Sequence, residues 1–315
     1  MICKFFFQED FMGVWLEGSA LAKSIKEKVK DEVSKIKEER NEVPGLAAVL
    51  VGDNKASQVY VGMKQRNCER LGLHSEVLTF NEKLDPPELK KKIEELNQKD
   101  QIDGILVQEP LPPGFSSHEV ATTILPEKDV DGLNPCSLGN LLRVESGLRP
   151  CTPLGIMELL KAEDIGIKGK EVVIIGRSLL VGKPLSIMMT NAHGTVTVCH
   201  SRTKDLPKVA SRADILVAAI GRGAFVTPDF VKKGAVVIDV GINHLTDKDK
   251  AAEMFEEPEK RLQDIDKKGY TLIGDVHPSV IHRASFLTPV PRGVGPLTVA
   301  LLMHNTLKAY KLRRG

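Results

Sequence analysis

The chain has 315 residues, 42% of them hydrophobic and 27% charged, which is enough for two compact domains with cores of their own. Lys plus Arg number 44 against 42 Asp plus Glu, a formal charge of +2, so no overall field exists to hold a nucleic-acid backbone. No apolar run reaches the roughly 18 residues of a membrane span, and the cysteines (Cys3, Cys68, Cys136, Cys151, Cys199) are scattered and odd in number, which fits a reducing cytoplasm rather than a disulfide framework or a metal site.

The start, "MICKFFFQEDF", is too short and too acidic for a secretory signal and too poor in base for a mitochondrial transit peptide. Residues 1–12 are therefore read as an extension of uncertain order. From Ser19 to about Glu39, Leu21, Ile25, Val29, Val33 and Ile36 recur at helical spacing behind Ser19 as N-cap. "GLAAVLVG" (45–52) then reads as a buried strand. Helix 55–71, strand 75–80, helix 86–98 opened by Pro86 and Pro87, and strand 104–108 follow.

After "RPCTPLG" (149–155) the alternation resumes with helix 153–164, strand 171–176, helix 184–192 and strands at 195–199, 215–220 and 235–241. A final helix from Gly295 to about Leu312 carries an apolar stripe (Val299, Ala300, Met303, Leu307, Tyr310) that needs a surface to cover. Such alternation predicts two α/β domains with mostly parallel sheets. The expected limits are 13–150 for an N-terminal domain completed by 295–315, and 151–294 for a Rossmann-like second domain, the two facing each other across a cleft.

In the second set, "VVIIGRSLLVGKP" (172–184) puts Gly176 at the end of an apolar strand and Pro184 near a helix start, the place where a dinucleotide's pyrophosphate meets free backbone N–H groups. The glycine fingerprint is imperfect, since Ser178 replaces the second glycine and Gly182 comes one residue late; a plain strand-to-helix turn stays open as the other reading. The next strand ends in "CHSRT" (199–203). No carboxylate stands there to bind ribose hydroxyls, while His200, Ser201 and Arg202, with Arg177, suit a 2′-phosphate, so the cofactor is read as NADP. The same residues also read as solvated loop. "VIDVGIN" (237–243) ends another strand at the ligand edge, with Gly241 and Ile242 in reach of a nicotinamide and Asp239 read as a satisfied buried carboxylate.

In the first set, "YVGMK" (60–64) places Tyr60 and Lys64 at i and i+4 of a helix, on one face, as a ring to stack on and a proton carrier, or as a coincidence of two common residues. Together with "VQEPLP" (107–112), "PEKDVDG" (126–132), "PCTPLG", "GRSLLVGKP" and "TPVPRGVGPLT" (288–298), this stretch resembles the bifunctional methylenetetrahydrofolate dehydrogenase/cyclohydrolases from about Val14 to the C-terminus. Each motif is weak singly, and the ordered set is specific.

The resemblance implies oxidation of 5,10-methylenetetrahydrofolate with NADP, then hydrolysis of the methenyl product to 10-formyltetrahydrofolate. It further implies a cytoplasmic homodimer whose partners are tetrahydrofolate derivatives, not nucleic acid or membrane, serving one-carbon metabolism and purine biosynthesis. Position by position, it implies that Tyr60 stacks on the folate, Lys64 is the catalytic amine, Gln108 tunes it, and Asp131 grips the pterin's amino edge. Val107, Glu109, Pro291, Arg292, Gly293, Val294 and Gly295 would complete the folate site. Thr152, Gly176, Arg177, Ser178, Gly182, His200, Ser201, Arg202, Gly241 and Ile242 would hold NADP, and no metal is implied.

Chemistry supports these roles. A planar edge of N–H donors calls for a carboxylate, for which Asp131 is the better candidate, Asp129 reading equally well as a loop or cap residue. Glu109 and Arg292 depart from the family, which usually has Leu and Gly there; they read as surface drift or as an opposite-charge pair meeting directly or through the folate. A short-chain dehydrogenase also has Tyr four residues before Lys, but after its nucleotide glycines rather than roughly 110 residues before them. A shikimate-dehydrogenase-like enzyme gives "KDVDG" and "PVPRGVGP" no role. An NADP-binding regulatory protein without catalysis is opposed by the retention of Tyr60, Lys64, Gln108 and Asp131 together.

Overall fold

The computed structural model describes residues 12–315; residues 1–11, with Cys3 and nearly all of the expected extension, lie outside the described residues. The chain begins with β1 (Val14–Trp15), α1 (Ser19–Arg40), β2 (Gly45–Val51), α2 (Lys55–Leu71), β3 (His74–Phe80), α3 (Pro86–Gln98) and β4 (Gly104–Val107). Three helices follow, α4 (Ser117–Thr123), α5 (Pro135–Leu142) and α6 (Cys151–Ala162). Next come β5 (Glu171–Ile175), α7 (Gly182–Asn191), β6 (Thr195–Cys199), α8 (Leu206–Ala210), β7 (Ile215–Ala218) and β8 (Val236–Asp239). The chain closes with β9 (Asn243–Leu245), α9 (Lys248–Met254), α10 (Glu259–Lys268), β10 (Thr271–Ile273), β11 (Phe286–Leu287) and α11 (Val294–Arg314).

These elements gather into two compact α/β units. The first comprises Ser19–Ile165, Leu179–Asn191 and Pro296–Gly315. Its sheet is wholly parallel in the order β3-β2-β4, with Val49 opposite Val107 and Val51 opposite Phe80. All seven residues of the central β2 are buried, which is why "GLAAVLV" reads as a continuous apolar run rather than an alternation. One face packs on Leu89, Ile93 and Leu96 of α3, spaced at helical intervals behind Pro86 at the helix start, where a missing N–H costs nothing.

From Pro296 onward α11 belongs to this first unit, as its apolar stripe predicts, and Ala300, Met303, Leu307 and Tyr310 are buried. Its far end is fixed by charge. Arg313 and Arg314 both reach the fully buried carboxylate of Asp103, at 2.5 and 3.0 Å, and the Gly45 N–H donates to the same group at 2.9 Å. Stripping such a buried acid of its partners costs about 3–5 kcal/mol.

The second unit comprises the described residues up to Gly18, Gly166–Ser178 and Ala192–Gly295. Its six strands run β1-β11-β8-β7-β5-β6, and every pair is parallel. Counted from β5, the order 2-1-3-4-5 is doubly wound, and the direction of winding reverses between β5 and β7. The sheet core holds Val173, Ile175, Leu216, Ala218 and Val237, and a two-stranded antiparallel ribbon, β9 with β10, lies outside it.

The folded elements begin near their expected positions, with shifts of one or two residues. Helix α1 starts at Ser19 itself rather than after it, and α6 and α7 start at Cys151 and Gly182, two residues before the predicted 153 and 184. Both contain a proline in the first turn, which a helix accepts without loss.

Candidate functional site

Helix α2 is capped at its start by the Asn54 side chain, which accepts the Ser57 N–H at 3.0 Å, and ends on Gly72 in the left-handed region. That registry sets Tyr60 and Lys64 one turn apart on one face. Strand β4 delivers Gln108, whose N–H donates to the Val49 carbonyl at 2.8 Å and so extends the strand past its end. The Lys64 ammonium donates to Gln108 Oε1 at 2.9 Å, while Gln108 Nε2 donates to the Glu109 carbonyl. The second bond turns the amide so that its oxygen, not its NH2, faces the lysine.

Asp131 completes the group. Burial raises its carboxyl to about 6, against the opposing pull of the Lys64 charge. Burial lowers the Lys64 amine, with Asp131 and Cys151 acting in the opposite sense. Each group of the pair is thus moved toward neutrality by lost hydration and held back by the other's charge. Cys151, at the start of α6, donates its thiol to the Val130 carbonyl at 3.3 Å; burial, and then the Asp131 charge, push that thiol well above its ordinary range.

Asp129 does different work. Its Oδ2 accepts the Asn134 N–H at 2.7 Å, and it is buried in the turn before α5, as the loop reading expects. The Glu109 carboxylate accepts the Leu111 N–H at 3.0 Å. A small recess lined by Val107, Glu109, Asp131 and Leu133 opens beside this group. Thr152 also stands in this unit, its hydroxyl 2.9 Å from that of Thr298, and Gly182 opens α7.

In the second unit, Gly176 ends β5 with φ +128, and its N–H donates to the Cys199 carbonyl at 2.9 Å. A Cβ there would fall 2.2 Å from the Ala219 carbonyl oxygen, so only glycine fits. Arg177 and Ser178 follow directly and are exposed. Because Ile175 pairs with Cys199, the turn after β6 emerges at the same sheet edge. The turn is held by His200, whose N–H donates to Thr203 Oγ1 at 2.9 Å and whose Nδ1 accepts the Arg202 N–H at 3.1 Å. Ser201 and Arg202 are left exposed. Two guanidinium groups and two hydroxyls at the switch-point edge form a donor set suited to phosphate, and they fit NADP.

Asp239 is the satisfied buried carboxylate that its strand position predicts, accepting N–H groups of Gly241, Asp275 and Val276 at 2.8 to 3.0 Å. Burial raises its carboxyl to about 7. Asp275, unsuspected from sequence, accepts the N–H groups of Ile220, Gly221 and Arg222 and fixes the loop after β7. Beyond Gly241, Ile242 is 45% exposed. In the 288–295 segment, the Arg292 carbonyl accepts the Gly18 N–H at 2.9 Å, and its guanidinium lies 3.2 Å from Glu17. Gly293 donates its N–H to Pro289, and Val294 and Gly295 open α11.

Lys64, Gln108 and Asp131 are therefore brought together, with Glu109 and Val107 beside them. The phosphate-type donors gather at one edge of the second unit's sheet. Cys151 and Asp275 carried no role in the sequence reading. Among the described residues, no His, Cys, Asp and Glu cluster is arranged to hold a metal, and no helix is long and apolar enough to cross a membrane.

Comparison with known proteins agrees with this geometry. Residues 16–131 match the tetrahydrofolate dehydrogenase/cyclohydrolase catalytic domain, and residues 150–314 the NAD(P)-binding domain of the same family. A Bifunctional protein FolD of Koribacter versatilis (strain Ellin345) is 50% identical over 300 residues, 95% of this chain and 97% of that protein. The crystal structure of the Campylobacter jejuni bifunctional FolD methylenetetrahydrofolate dehydrogenase/cyclohydrolase is similar at TM-score 0.86 and 41% identity, covering 95% of this chain and 99% of that one. The Trypanosoma brucei enzyme, solved with NADP cofactor and an inhibitor, is similar at TM-score 0.86 and 34% identity, covering 96% and 98%. With both domain models matched in order and half of its residues shared with a relative of nearly equal extent, the chain belongs to the tetrahydrofolate dehydrogenase/cyclohydrolase family.

Proposed function

We infer that the chain oxidises 5,10-methylenetetrahydrofolate to the methenyl form with NADP and hydrolyses that product to 10-formyltetrahydrofolate. The observation that carries this reading is the contact of Lys64 with Gln108 beside Asp131, on elements of the family's catalytic domain. NADP, when bound, accepts the hydride; Arg177, Ser178, Ser201 and Arg202 would hold its phosphates, with Gly176 giving the backbone turn that brings them to one edge.

The first reaction needs no side-chain acid or base, only alignment of two carbons, so this chain's part is to position the folate. Tyr60 supplies a flat face for its rings, and Asp131 a carboxylate for the amino edge of the pterin. The second reaction needs proton traffic. Lys64, lowered by burial from a pKa that would leave it a poor base at neutral pH, takes a proton from the attacking water and returns it to the opening ring. Gln108 holds the amine toward that work, because its oxygen accepts one N–H of the neutral amine and leaves the nitrogen lone pair free to take the proton.

Residues 19–165, 179–191 and 296–315 are taken as the catalytic part and the other described residues as the nucleotide part. This differs from the expected limits of 13–150 with 295–315 and 151–294, because Val14–Trp15 pairs with Phe286–Leu287 and 151–165 with 179–191 fold with the catalytic sheet. We take the enzyme to be a cytoplasmic homodimer whose product feeds purine biosynthesis, in keeping with unpaired cysteines and the family's habit. The test is direct: purified protein with 5,10-methylenetetrahydrofolate and NADP should show reduced nicotinamide appearing, with methenyl absorbance rising and then decaying. Nucleotide binding without either signal would mean that the chain has lost catalysis and keeps only a binding role.

A further inference from the structure

The C-terminal helix does more than cover the first unit. Asn305 on α11 is 1% exposed. Its Nδ2 donates to the Val130 carbonyl at 2.8 Å and to the Arg149 carbonyl at 2.9 Å, and lies 3.5 Å from Cys151 Sγ. An amide nitrogen carries two hydrogens, so the two carbonyls use both. The two peptides belong to segments far apart in the chain and pressed together: a Cβ on Gly132 would fall 2.4 Å from the Arg149 carbonyl carbon. One segment continues into Asp131 and the other, past Pro150, into Cys151, whose thiol donates to the same Val130 carbonyl at 3.3 Å.

We propose that Asn305 is a positioning residue of the folate site: by clamping the Val130 and Arg149 carbonyls from one side, it sets where the Asp131 carboxylate stands relative to Lys64 and Cys151. Asn305 touches no substrate and acts through Asp131. The inference rests on the functional reading above. Its chemical requirement is two N–H donors on one atom, facing two carbonyls at once. Ser supplies one donor, Ala supplies none, and Asp presents oxygens to both carbonyls. A site whose carboxylate shifts by a fraction of an ångström loses alignment of the folate, and the loss falls on turnover.

The decisive comparison sets Asn305→Ala and Asn305→Ser against Tyr310→Phe, which removes a bond from Tyr310 to Glu42 elsewhere on the same helix. All are assayed well below their melting temperatures. The Asn305 variants should lose turnover by about fivefold or more in both reactions and move the acid limb of the pH profile, while Tyr310→Phe keeps parent kinetics. On an Asp131→Asn background, Asn305→Ser should cost no further turnover, because the group through which it acts is already gone. Should Asn305→Ala fail to fold, Asn305→Ser retains one donor and carries the test.

A readout free of turnover separates this inference from the functional reading. Carbon NMR of the Asp131 carboxyl should show a protonation midpoint displaced in Asn305→Ser and unchanged in Tyr310→Phe. An inactive parent with the displaced midpoint would sink the functional reading and leave the clamp standing. Parent-like kinetics and an unmoved Asp131 midpoint in a merely less stable Asn305→Ser would overturn the clamp.

Discussion

Lys64→Met separates the two chemistries, and its size follows from what the ammonium touches. Methionine keeps the length and apolar stem of the side chain and removes the charge. The fold then loses the 2.9 Å bond to Gln108 Oε1. Leaving an acceptor unpaired costs about 1–3 kcal/mol when it is fully buried, and less where water reaches it, as it reaches the half-buried Gln108, so stability falls by about 1 kcal/mol. The chemical cost is larger: loss of a positioned proton carrier is worth about 10²–10⁴ in rate, or about 3–5 kcal/mol of barrier. Cyclohydrolase activity should therefore drop by that factor while the folded population hardly changes, and the dehydrogenase should keep measurable turnover, since it needs alignment only. Asp131 meanwhile loses the cation that holds its carboxyl down, so its midpoint climbs above about 6 and the acid limb of folate binding moves to higher pH. Stopped-flow decay of the methenyl chromophore measures hydrolysis, nicotinamide reduction measures oxidation, and thermal melting measures the fold. A Lys64→Met protein that hydrolyses methenyltetrahydrofolate at the parent rate refutes the role given to the amine.

In the parent, folate affinity should weaken as pH falls through about 6, because Asp131 gains a proton and ceases to be an all-acceptor group; Asp131→Asn should bind weakly and show no such limb in a titration across pH. Ser201→Asp sets a carboxylate at the edge that bears Arg177 and Arg202, so the preference for NADP over NAD should narrow or reverse by paired nucleotide titrations; an unchanged ratio places the 2′-phosphate elsewhere. Arg292 sits at φ +91, where a side chain costs about 1–2 kcal/mol, and its exposed pair with Glu17 returns about 0–1 kcal/mol. Arg292→Gly should accordingly melt at or above the parent temperature, and a clear drop would mean that the Glu17 pair outweighs the strain.

Sequence periodicity was sufficient for the parallel strands and the long helices because each repeats its pattern over several turns or residues. It passed over α4, α8 and α9, which have five to seven residues and too few turns to establish a period. Helix α10 has ten residues, but they are mostly charged and carry too few apolar positions to mark a stripe. The site divides in the same way. Tyr60 and Lys64 were visible as a one-turn pair, and Gly176 as the end of an apolar strand, since both are local. Asn305 and Val130 are 175 positions apart, and Asp275 and the loop it organises more than fifty, distances at which no spacing rule operates.

The two acids of "KDVDG" show where structure adds what spacing lacks. They stand two residues apart in one turn, and the sequence favours Asp131 on its chemistry and the family resemblance without showing what engages either carboxylate. The Asp129 carboxylate is already engaged by the Asn134 N–H at 2.7 Å, and the Asp129 carbonyl accepts the Gly132 N–H at 2.9 Å, so the residue serves the turn. Asp131 faces the Lys64 charge, which leaves acceptor capacity at a carboxylate held near the edge of ionisation. Asp103, Asp239 and Asp275 follow Asp129 in organising backbone N–H groups. An acid that the backbone has not claimed, placed beside a lysine with a lowered pKa, is the one free to hold a ligand, and this contrast is the physical ground for assigning the pterin contact to Asp131 rather than to its neighbour.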